Sequence, residues 1–369
     1  MTERIAIVTG GGDCPGLNAV IRAVVKAASR RGWEAIGFLG GYEGMLSPSR
    51  YRPLDYREMD GLLFRGGTVL GTANRGRFAA KTGHGEVRRV PEEILGEALD
   101  NFIELDLKAL VCIGGDGSLT IAQQLFEIGM PVVGIPKTID NDLDATIMTF
   151  GFESAVTCAV EALDRLHTTA ESHNRVMVLE VMGRYAGWIA GFAGIAGGAD
   201  IILIPEIPFD YDSIVAKIQE RERDGKPFTL VIVAEGARER GGNYVTADKV
   251  TTTGEAKLGG IGHVIAREIE ARAGKETRAV VLGHLQRGGS PTAWDRQLCT
   301  RFGVSAVECI ADGIFGHMVA LTPAGIAPVK ITEAIDQIRT VPPDGEIVRV
   351  GGALGISFGD RSLPSAFLT

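Results

Sequence analysis

Twice in this chain, a cluster of glycines separates an apolar, strand-like run from a helix-like run. Gly10 to Gly16 follows the apolar stretch Arg4 to Thr9, and Gly114 to Ser118 follows the apolar stretch Leu107 to Ile113. Glycine at such a junction lets the backbone turn sharply from a strand into a helix. This repeated order constrains the fold more than any other feature, because it is typical of α/β proteins with parallel sheets. The predicted helices run from Asn18 to Arg31 and from about Leu119 to Ile128.

Further strands alternate with helices along the rest of the chain. Parallel sheets place their ligand-binding loops at the carboxyl ends of the strands. We therefore expect an α/β protein of two lobes, each a parallel or mostly parallel sheet flanked by helices, with the chain crossing between lobes more than once. The remaining predicted strands are Trp33 to Phe38, Pro131 to Ile135, Val176 to Val181, Ile201 to Ile204, Leu230 to Ala234 and Ala279 to Leu282.

Composition narrows the class of protein. The 369 residues are 45% hydrophobic and 23% charged, which excludes a disordered or fibrous chain. A net charge of −8 argues against nucleic acid or an anionic membrane as the main partner. Five scattered cysteines without a CxxC pair are expected of a reducing cytoplasm. The sequence shows no signal-peptide pattern, no apolar stretch long enough for a bilayer and no metal-binding histidine spacing.

The two glycine loops favour a polyphosphate ligand. Glycine allows a phosphate to approach the backbone closely, and the helix N-terminus behind each loop offers free N–H groups. Neither loop contains the Gly-Lys-Ser/Thr of a Walker A motif. Tight-turn packing explains a single loop of this kind equally well, but two such loops in one chain favour phosphate binding.

A third loop, Thr138 to Asp142, carries two carboxylates. If this segment is extended, residues two apart face the same side, so Asp140 and Asp142 would point into one cavity. One carboxylate could then hold Mg²⁺ while the other accepts a proton from a hydroxyl nucleophile. An Asx-rich turn without a catalytic role explains these residues equally well. Guanidinium groups bind phosphate through paired hydrogen bonds. The candidate arginines beside predicted strands are Arg175, Arg184, Arg278 and Arg287.

Together, these motifs resemble those of the 6-phosphofructokinase family from about Arg4 to Leu321. They occur in the family's order along the chain, and the residues after this region fall outside the family's short bacterial form. The matching motifs are Gly11-Gly12-Asp13 with Pro15-Gly16 and Asn18, Gly114 to Ser118, Thr138 to Asp142, Gly151-Phe152, Ser172-His173 with Arg175, Met182 to Tyr185, and Glu276-Thr277-Arg278 with Gly283 to Pro291.

The resemblance implies the phosphofructokinase fold, with the active site in the cleft between the two lobes. It assigns residues 1–150 with about 265–318 to a nucleotide-binding lobe, and residues 151–264 with about 319–369 to a fructose-6-phosphate-binding lobe with a C-terminal extension. The implied reaction is phosphorylation of D-fructose 6-phosphate at its C1 hydroxyl by ATP and Mg²⁺. Its products would be fructose 1,6-bisphosphate and ADP, as a step of glycolysis in the cytoplasm.

The resemblance also implies a role for each matching residue. Asp140 is expected to be the general base that deprotonates the C1 hydroxyl, and Thr138 and Arg184 to contact the phosphoryl group in flight. Asp116 and Asp142 are expected to supply the Mg²⁺ carboxylates. The implied substrate-binding residues are Thr138, Ile139, Asp140, Arg175, Met182, Gly183, Arg184, Glu235, Arg278, His284 and Arg287. The implied contacts of the ATP phosphates are Gly12, Arg75, Gly117 and Ser118.

Two positions give opposed indications about the phosphoryl donor. In the family, a second aspartate directly after Gly-Gly-Asp resembles the pattern of the pyrophosphate-using enzymes. In this chain the position is Gly117, which leaves room for a nucleotide. At the other position, by contrast, Lys137 resembles the residue of the pyrophosphate-using enzymes. A steric and like-charge block is harder to overcome than an additional cation is to tolerate. We therefore expect an ATP-dependent member of the long-chain group that combines these two residues, with a reversible pyrophosphate-dependent enzyme as the alternative.

The resemblance further implies an oligomer, because Arg175 and Arg278 match arginines that reach into a neighbouring subunit's site. A homotetramer, or a homodimer, with shared active sites is expected. Two other classes of protein stay open. Lipid and NAD kinases share a Gly-Gly-Asp-Gly element but lack the motif from His284 to Pro291. A sugar-phosphate-binding protein without turnover would require loss of the base or of a metal carboxylate.

Overall fold

The computed structural model describes residues 2–73, 76–78, 82–83, 86–87, 89–246 and 258–360. The strands are β1 Arg4–Thr9, β2 Glu34–Phe38, β3 Tyr51–Pro53, β4 Thr82–Gly83, β5 Glu86–Val87, β6 Ala109–Gly114, β7 Val132–Pro136, β8 Val176–Val181, β9 Ile201–Leu203, β10 Thr229–Ala234, β11 Thr277–Val281, β12 His317–Thr322 and β13 Gly325–Lys330. The helices are α1 Leu17–Arg30, α2 Glu92–Glu104, α3 Asp116–Glu127, α4 Phe152–His173, α5 Trp188–Ala196, α6 Tyr211–Arg223, α7 Ile261–Ala273, α8 Ala293–Ala311, α9 Ile331–Ile335 and α10 Glu346–Ala353.

The chain divides into two compact units. The first contains the described residues within 1–139, 143–154 and 287–338, and the second contains those within 140–142, 155–286 and 339–369. Each unit has its own sheet. The predicted α/β class and the repeated crossing of the chain between two lobes are confirmed.

A seven-stranded sheet organises the first unit, in the order β13-β12-β7-β6-β1-β2-β3. The five central strands are parallel, and β3 and β13 are antiparallel at the two edges. Helices α1 and α8 pack closely in this unit. A Cβ at Gly303 would lie only 2.6 Å from Ala23 Cβ, so the small residues on both helices permit the contact.

A four-stranded parallel sheet organises the second unit, in the order β11-β8-β10-β9. Strands β8 and β10 are buried along their whole length, which explains their uninterrupted apolar sequences. Glu180 on β8 is the one charged residue in these two strands, and it is also buried, at 2% exposure. Its carboxylate accepts hydrogen bonds from the amides of Gly260 (2.9 Å) and Gly262 (2.8 Å) at the start of α7. A buried acidic residue therefore caps this helix.

The unit boundaries differ from the predicted lobes at four segments, two short ones (140–142 and 151–154) and two longer ones. Residues 265–286 were expected with the nucleotide-binding lobe, yet β11 pairs with β8 and so belongs to the second unit. Residues 319–338 were expected with the other lobe, yet β12 pairs with β7 in the first unit. Strand pairing over long sequence separations decides both cases.

None of the helices in the described ranges combines the length and apolar character needed to cross a membrane.

Candidate active site

Three loops of the first unit lie together because they follow neighbouring strands. Strands β1, β6 and β7 are adjacent and parallel, so their carboxyl ends meet at one edge of the sheet. Main-chain hydrogen bonds join the loops directly. The amide of Gly10 donates to Ile113 O, and the amide of Lys137 donates to Gly114 O, both at 2.9 Å. The two predicted glycine loops are thus neighbours in the structure.

The glycines allow these loops to approach one another more closely than any other residue would. A Cβ at Gly10 would lie 2.4 Å from Ser118 Oγ, and a Cβ at Gly114 would lie 2.2 Å from Ser118 Cβ. A Cβ at Gly12 would lie 2.1 Å from an Nη1 atom of Arg287. Contacts below about 3 Å are not tolerated by real side chains, so glycine is required at Gly10 and Gly114 by close approach. At Gly12 the neighbouring group is the flexible end of a side chain, which can move. Gly12, Ser118 and Arg287, all expected site residues, are thereby brought together.

Lys137 supports the first glycine loop. Its side chain is 5% exposed, and its ammonium donates a 2.5 Å hydrogen bond to Gly12 O. Thr72 Oγ1 donates to the neighbouring carbonyl, Gly11 O, also at 2.5 Å. The contact between Lys137 and Gly12 was not foreseen from the sequence, which linked Lys137 only with the choice of phosphoryl donor. Burial raises the pKa of the adjacent Cys14 thiol to about 12, although Lys137 acts in the opposite direction. Cys14 therefore stays a neutral thiol at neutral pH.

The second glycine loop continues directly into α3. The helix begins at Asp116, three residues earlier than the predicted Leu119, so Asp116, Gly117 and Ser118 form its first turn. The first-turn amides of a helix have no partners within the helix, and its dipole favours negative charge there. Tyr42 OH fixes this turn by donating a 2.7 Å hydrogen bond to Ser118 O. The second loop thus has the geometry of a phosphate-binding helix N-terminus.

The loop after β7 is not extended, so the predicted alternation of side chains does not apply to it. Ile139 and Asp140 form a turn, and Asn141 has a left-handed backbone, with φ of 52°. Asparagine and aspartate adopt this conformation more readily than other residues with a side chain. Thr138 is fixed by Thr149, whose Oγ1 donates to Thr138 O at 2.7 Å. Of the two alternatives that the sequence left open, the extended segment is wrong and the turn is the one observed, while the roles of these residues stay predictions.

In the second unit, the loops after β8 and β10 meet. Gly183 has φ of 133°, and the amide of Gly236 donates to Gly183 O at 3.1 Å. A Cβ at Gly236 would lie 1.9 Å from Arg184 O. The amide of Glu235 donates to Val181 O at 2.9 Å. Main-chain contact therefore places the expected sugar-binding residues Met182, Gly183, Arg184 and Glu235 in neighbouring loops at one end of the second sheet.

Gln286 is a candidate site residue to which the sequence analysis gave no role, although it lies in the motif Gly283 to Pro291. It is 1% exposed, and its Oε1 accepts a 2.8 Å hydrogen bond from the amide of Met182. It follows the exposed His284 in the short 3₁₀ helix Gly283–Arg287, so it connects that motif to the sugar-binding loop. Within the part of the chain that the structure describes, Gln286 Nε2 and Arg287 Nε are buried and have no hydrogen-bond partner. Buried donors of this kind suit an anionic ligand.

Arg175 and Arg278 lie away from these loops. Arg175 precedes β8 and Arg278 is the second residue of β11, so both sit at the amino end of the second sheet. Met182 follows the opposite end of β8, a strand of six residues or ~20 Å. Both arginines pair with Glu276, at 2.8 and 2.5 Å, and the pKa of Glu276 is lowered by its hydrogen bond from Arg175. The structure does not bring these two arginines to the loops that follow β8 and β10 in the same chain.

Asp116 and Asp142 are the carboxylates that the sequence predicts to bind Mg²⁺. Among the residues described here, no group of three or more His, Cys, Asp or Glu side chains could hold a metal ion. Mg²⁺ in kinases is held by one or two carboxylates together with substrate phosphates and water. Asp116, at the start of α3, and Asp142, in the loop after β7, each offer one carboxylate of the kind that such a site uses, and their role as Mg²⁺ ligands stays a prediction. Arg75, a predicted phosphate ligand, lies outside the described residues.

Comparison with known proteins identifies close similarity over nearly the whole chain. The model of the phosphofructokinase family matches residues 4–310. An ATP-dependent 6-phosphofructokinase of Chloroflexus aurantiacus is 51% identical over 361 residues, covering 97% of this chain and 98% of that protein. A pyrophosphate–fructose 6-phosphate 1-phosphotransferase of Amycolatopsis methanolica is 50% identical over 345 residues, covering 92% and 97%.

The fold is also that of solved structures. Phosphofructokinase from Pichia pastoris, in a crystal structure of its T-state, has a TM-score of 0.80 and 30% identity to this chain. The similarity covers 98% of this chain and 37% of the yeast chain.

Proposed function

Because the chain belongs to the phosphofructokinase family, we propose that it transfers a phosphoryl group from ATP to the C1 hydroxyl of fructose 6-phosphate. The products are fructose 1,6-bisphosphate and ADP, as in glycolysis, in the cytoplasm. One observation carries this proposal. All the expected motifs lie within residues 4–310 that the family model matches, and the match with the relative of 51% identity covers 97% of the chain.

Each site residue has a role in this reaction. Asp140 accepts the proton of the C1 hydroxyl, so that the oxygen becomes a nucleophile as it attacks the terminal phosphorus. Thr138 and Arg184 stabilise the charge that develops on the transferred group. Asp116 and Asp142 hold Mg²⁺, which when bound offsets the charge of the ATP phosphates. The amides at the start of α3, with Gly12 and Ser118, bind those phosphates.

The sugar phosphate is bound by groups of opposite charge. His284 and Arg287 bind the 6-phosphate, and the buried Nε of Arg287 supports this assignment because it has no acceptor in the described part of the chain. Met182, Gly183 and Glu235 contact the sugar. Ile139 contributes its backbone beside Asp140.

ATP is the proposed donor, although relatives with either donor in their names are about equally similar to this chain. Gly117 lies in the first turn of α3 and has no side chain that would occupy the space of a nucleotide phosphate. Lys137 is the feature that resembles pyrophosphate users. Its ammonium already donates to Gly12 O, so its presence is explained by support of the glycine loop whichever donor is used.

A coupled assay of fructose 1,6-bisphosphate formation tests the donor, with ATP and pyrophosphate measured side by side. ATP should give the faster rate, and pyrophosphate at most a slight one. Gly117→Asp should sharply reduce ATP use, whereas Lys137→Gly should lower the rate without changing the preferred donor. Faster turnover of the unaltered protein with pyrophosphate would assign it to the pyrophosphate-dependent class instead.

The active species is proposed to be a homotetramer, or a homodimer, in which Arg175 and Arg278 complete the site of a neighbouring subunit. Their position at the amino end of the second sheet supports this, because within one chain they are remote from Met182. Mixing inactive Asp140→Asn protein with inactive Arg278→Ala protein should restore part of the activity in hybrid assemblies. Full activity of a monomer at the assay concentration would refute shared sites.

A further inference from the structure

The segment Arg339–Val341, which we name the C-terminal strap, is bonded on two sides within the second unit. It lies beyond residues 4–310 that the family model matches. On one side, the amide of Arg339 donates to Asp142 O at 2.9 Å. On the other, Arg339 O accepts a 2.9 Å hydrogen bond from the indole Nε1 of Trp188. One residue of the strap, Arg339, thus connects Asp142 to the start of α5.

A second residue, Glu206, holds the strap on the side of Trp188 and α5. Glu206 Oε1 accepts hydrogen bonds from the amide of Val341 at 2.7 Å and from that of Gly187 at 2.9 Å. A Cβ at Gly187 would lie 2.4 Å from Ile204 Cβ and 2.9 Å from Glu206 Oε2, so glycine is needed at this position. One carboxylate therefore joins the strap to the residue that precedes α5, two positions after the loop from Met182 to Tyr185.

The side chain of Arg339 strengthens the same contact. Its guanidinium lies over the indole of Trp188, with 4.6 Å between the guanidinium carbon and the ring centroid. At this distance a cation–π interaction stabilises the pair. Val341 is fully buried and Trp188 nearly so. The strap is thus held by one side-chain donor, the indole N–H of Trp188, by one side-chain acceptor, the carboxylate of Glu206, and by the contact of Arg339 with the Trp188 ring.

We propose that the C-terminal strap is a positioning element for phosphoryl transfer, held by Trp188 and Glu206 and itself holding the backbone of Asp142. This inference rests on the proposed function, in which Asp142 supplies a Mg²⁺ carboxylate. A carboxylate can be placed no better than the main chain that carries it, and catalytic geometry must be kept within about 0.5 Å. The strap fixes that main chain through the carbonyl of Asp142 itself.

The decisive variant is Trp188→Phe, which keeps an aromatic ring under Arg339 but removes the N–H that donates to Arg339 O. The matched control is Trp294→Phe, since the indole Nε1 of Trp294 donates to the sulfur of Met148 and the side chain is 43% exposed. Hydrogen–deuterium exchange, measured by mass spectrometry on the full chain, should become faster in peptides that contain residues 138–143 and 339–341. The control should match the unaltered protein.

Kinetics provide the second measurement. In Trp188→Phe, the Mg²⁺ concentration for half-maximal activity should rise about fivefold, as expected for loss of one hydrogen bond. The KM for fructose 6-phosphate should stay unchanged. A role in stability alone would lower the melting temperature without moving the Mg²⁺ dependence. Unchanged exchange, or faster exchange with an unchanged Mg²⁺ dependence, would overturn the proposal.

Glu206 provides an independent series that does not depend on the indole. Glu206→Gln keeps an oxygen that can accept from Val341 and Gly187, so it should retain most of the protection of the strap, whereas Glu206→Ala should lose it. Equal exchange in the two variants would count against the proposal. If the unaltered protein does not phosphorylate fructose 6-phosphate, the proposed function fails, and the exchange data still decide whether the strap holds Asp142.

Discussion

The loops of the two units differ in what a single added methyl group would meet. At Gly12, in the first unit, a Cβ would lie 2.1 Å from the end of the Arg287 side chain. At Gly236, in the second unit, it would lie 1.9 Å from the main-chain oxygen of Arg184. A side chain can rotate away, whereas a buried main chain moves only with its whole loop. The same substitution should therefore affect ligand binding in one unit and the fold in the other.

The largest effect is expected from a substitution at Asp140 and not at a glycine. Asp140→Asn should lower kcat by about 10²–10⁴-fold with little change in either KM, because it removes a general base but leaves ligand contacts in place. Steady-state kinetics with fructose 6-phosphate and ATP varied in turn provide the measurement. Asp144→Asn is the matched control, since its carboxylate bonds to the amide of Ala145 and to Gln337. A near-normal kcat in Asp140→Asn would remove Asp140 from the chemistry.

Gly236→Ala tests the main-chain side of the comparison. Forcing a methyl group against Arg184 O should destabilise the protein by about 1–3 kcal/mol, as overpacking of a close-packed site does. Urea unfolding measures the change in the free energy of unfolding. Gly96→Ala is the control, because nothing lies within 4 Å of its added Cβ and it sits inside α2. There, alanine should stabilise the helix by up to about 1 kcal/mol. Equal stability of the two variants would contradict the structural distinction.

Gly12→Ala tests the side-chain side. The methyl group should displace the guanidinium of Arg287, and loss of one charge-assisted phosphate contact should raise the KM for fructose 6-phosphate about tenfold. The melting temperature should change less than in Gly236→Ala. A greater loss of stability in Gly12→Ala than in Gly236→Ala would reverse the comparison.

The smallest expected effect is that of Gln286→Leu. The amide of Met182 would lose its buried acceptor, which should lower kcat/KM for fructose 6-phosphate about fivefold. Gln286→Glu sharpens the interpretation, because it keeps an acceptor for Met182 but replaces the Nε2 donor with a negative charge. If Nε2 donates to the sugar phosphate, Gln286→Glu should be worse than Gln286→Leu. If Gln286 acts only through Met182, Gln286→Glu should be nearly normal in kcat/KM.

Local patterns in the sequence predicted the strands and the loops that carry the candidate residues. The strands Arg4–Thr9 and Val176–Val181 have the bounds expected from their apolar runs. Such runs are informative because a strand buried on both faces needs apolar residues throughout. The start of α3 was misplaced, since Gly117 and Ser118 are typical of loops but here form the first turn of a helix. For Thr138 to Asp142 the sequence left an extended segment and an Asx-rich turn open, and the left-handed Asn141 decides for the turn.

By itself, the sequence thus determined the alternation of strands and helices and the loops in which Asp116, Asp140 and Arg184 lie, because hydrophobic runs and glycines act over a few residues. Only the tertiary structure decided which distant groups meet. The ammonium of Lys137 reaches Gly12 O across 125 residues, and Glu206 joins Val341 to Gly187. Strand β11 enters the second sheet rather than the first. Each of these contacts depends on which strands pair and which side chains are buried together, and long-range packing determines that for the whole chain at once.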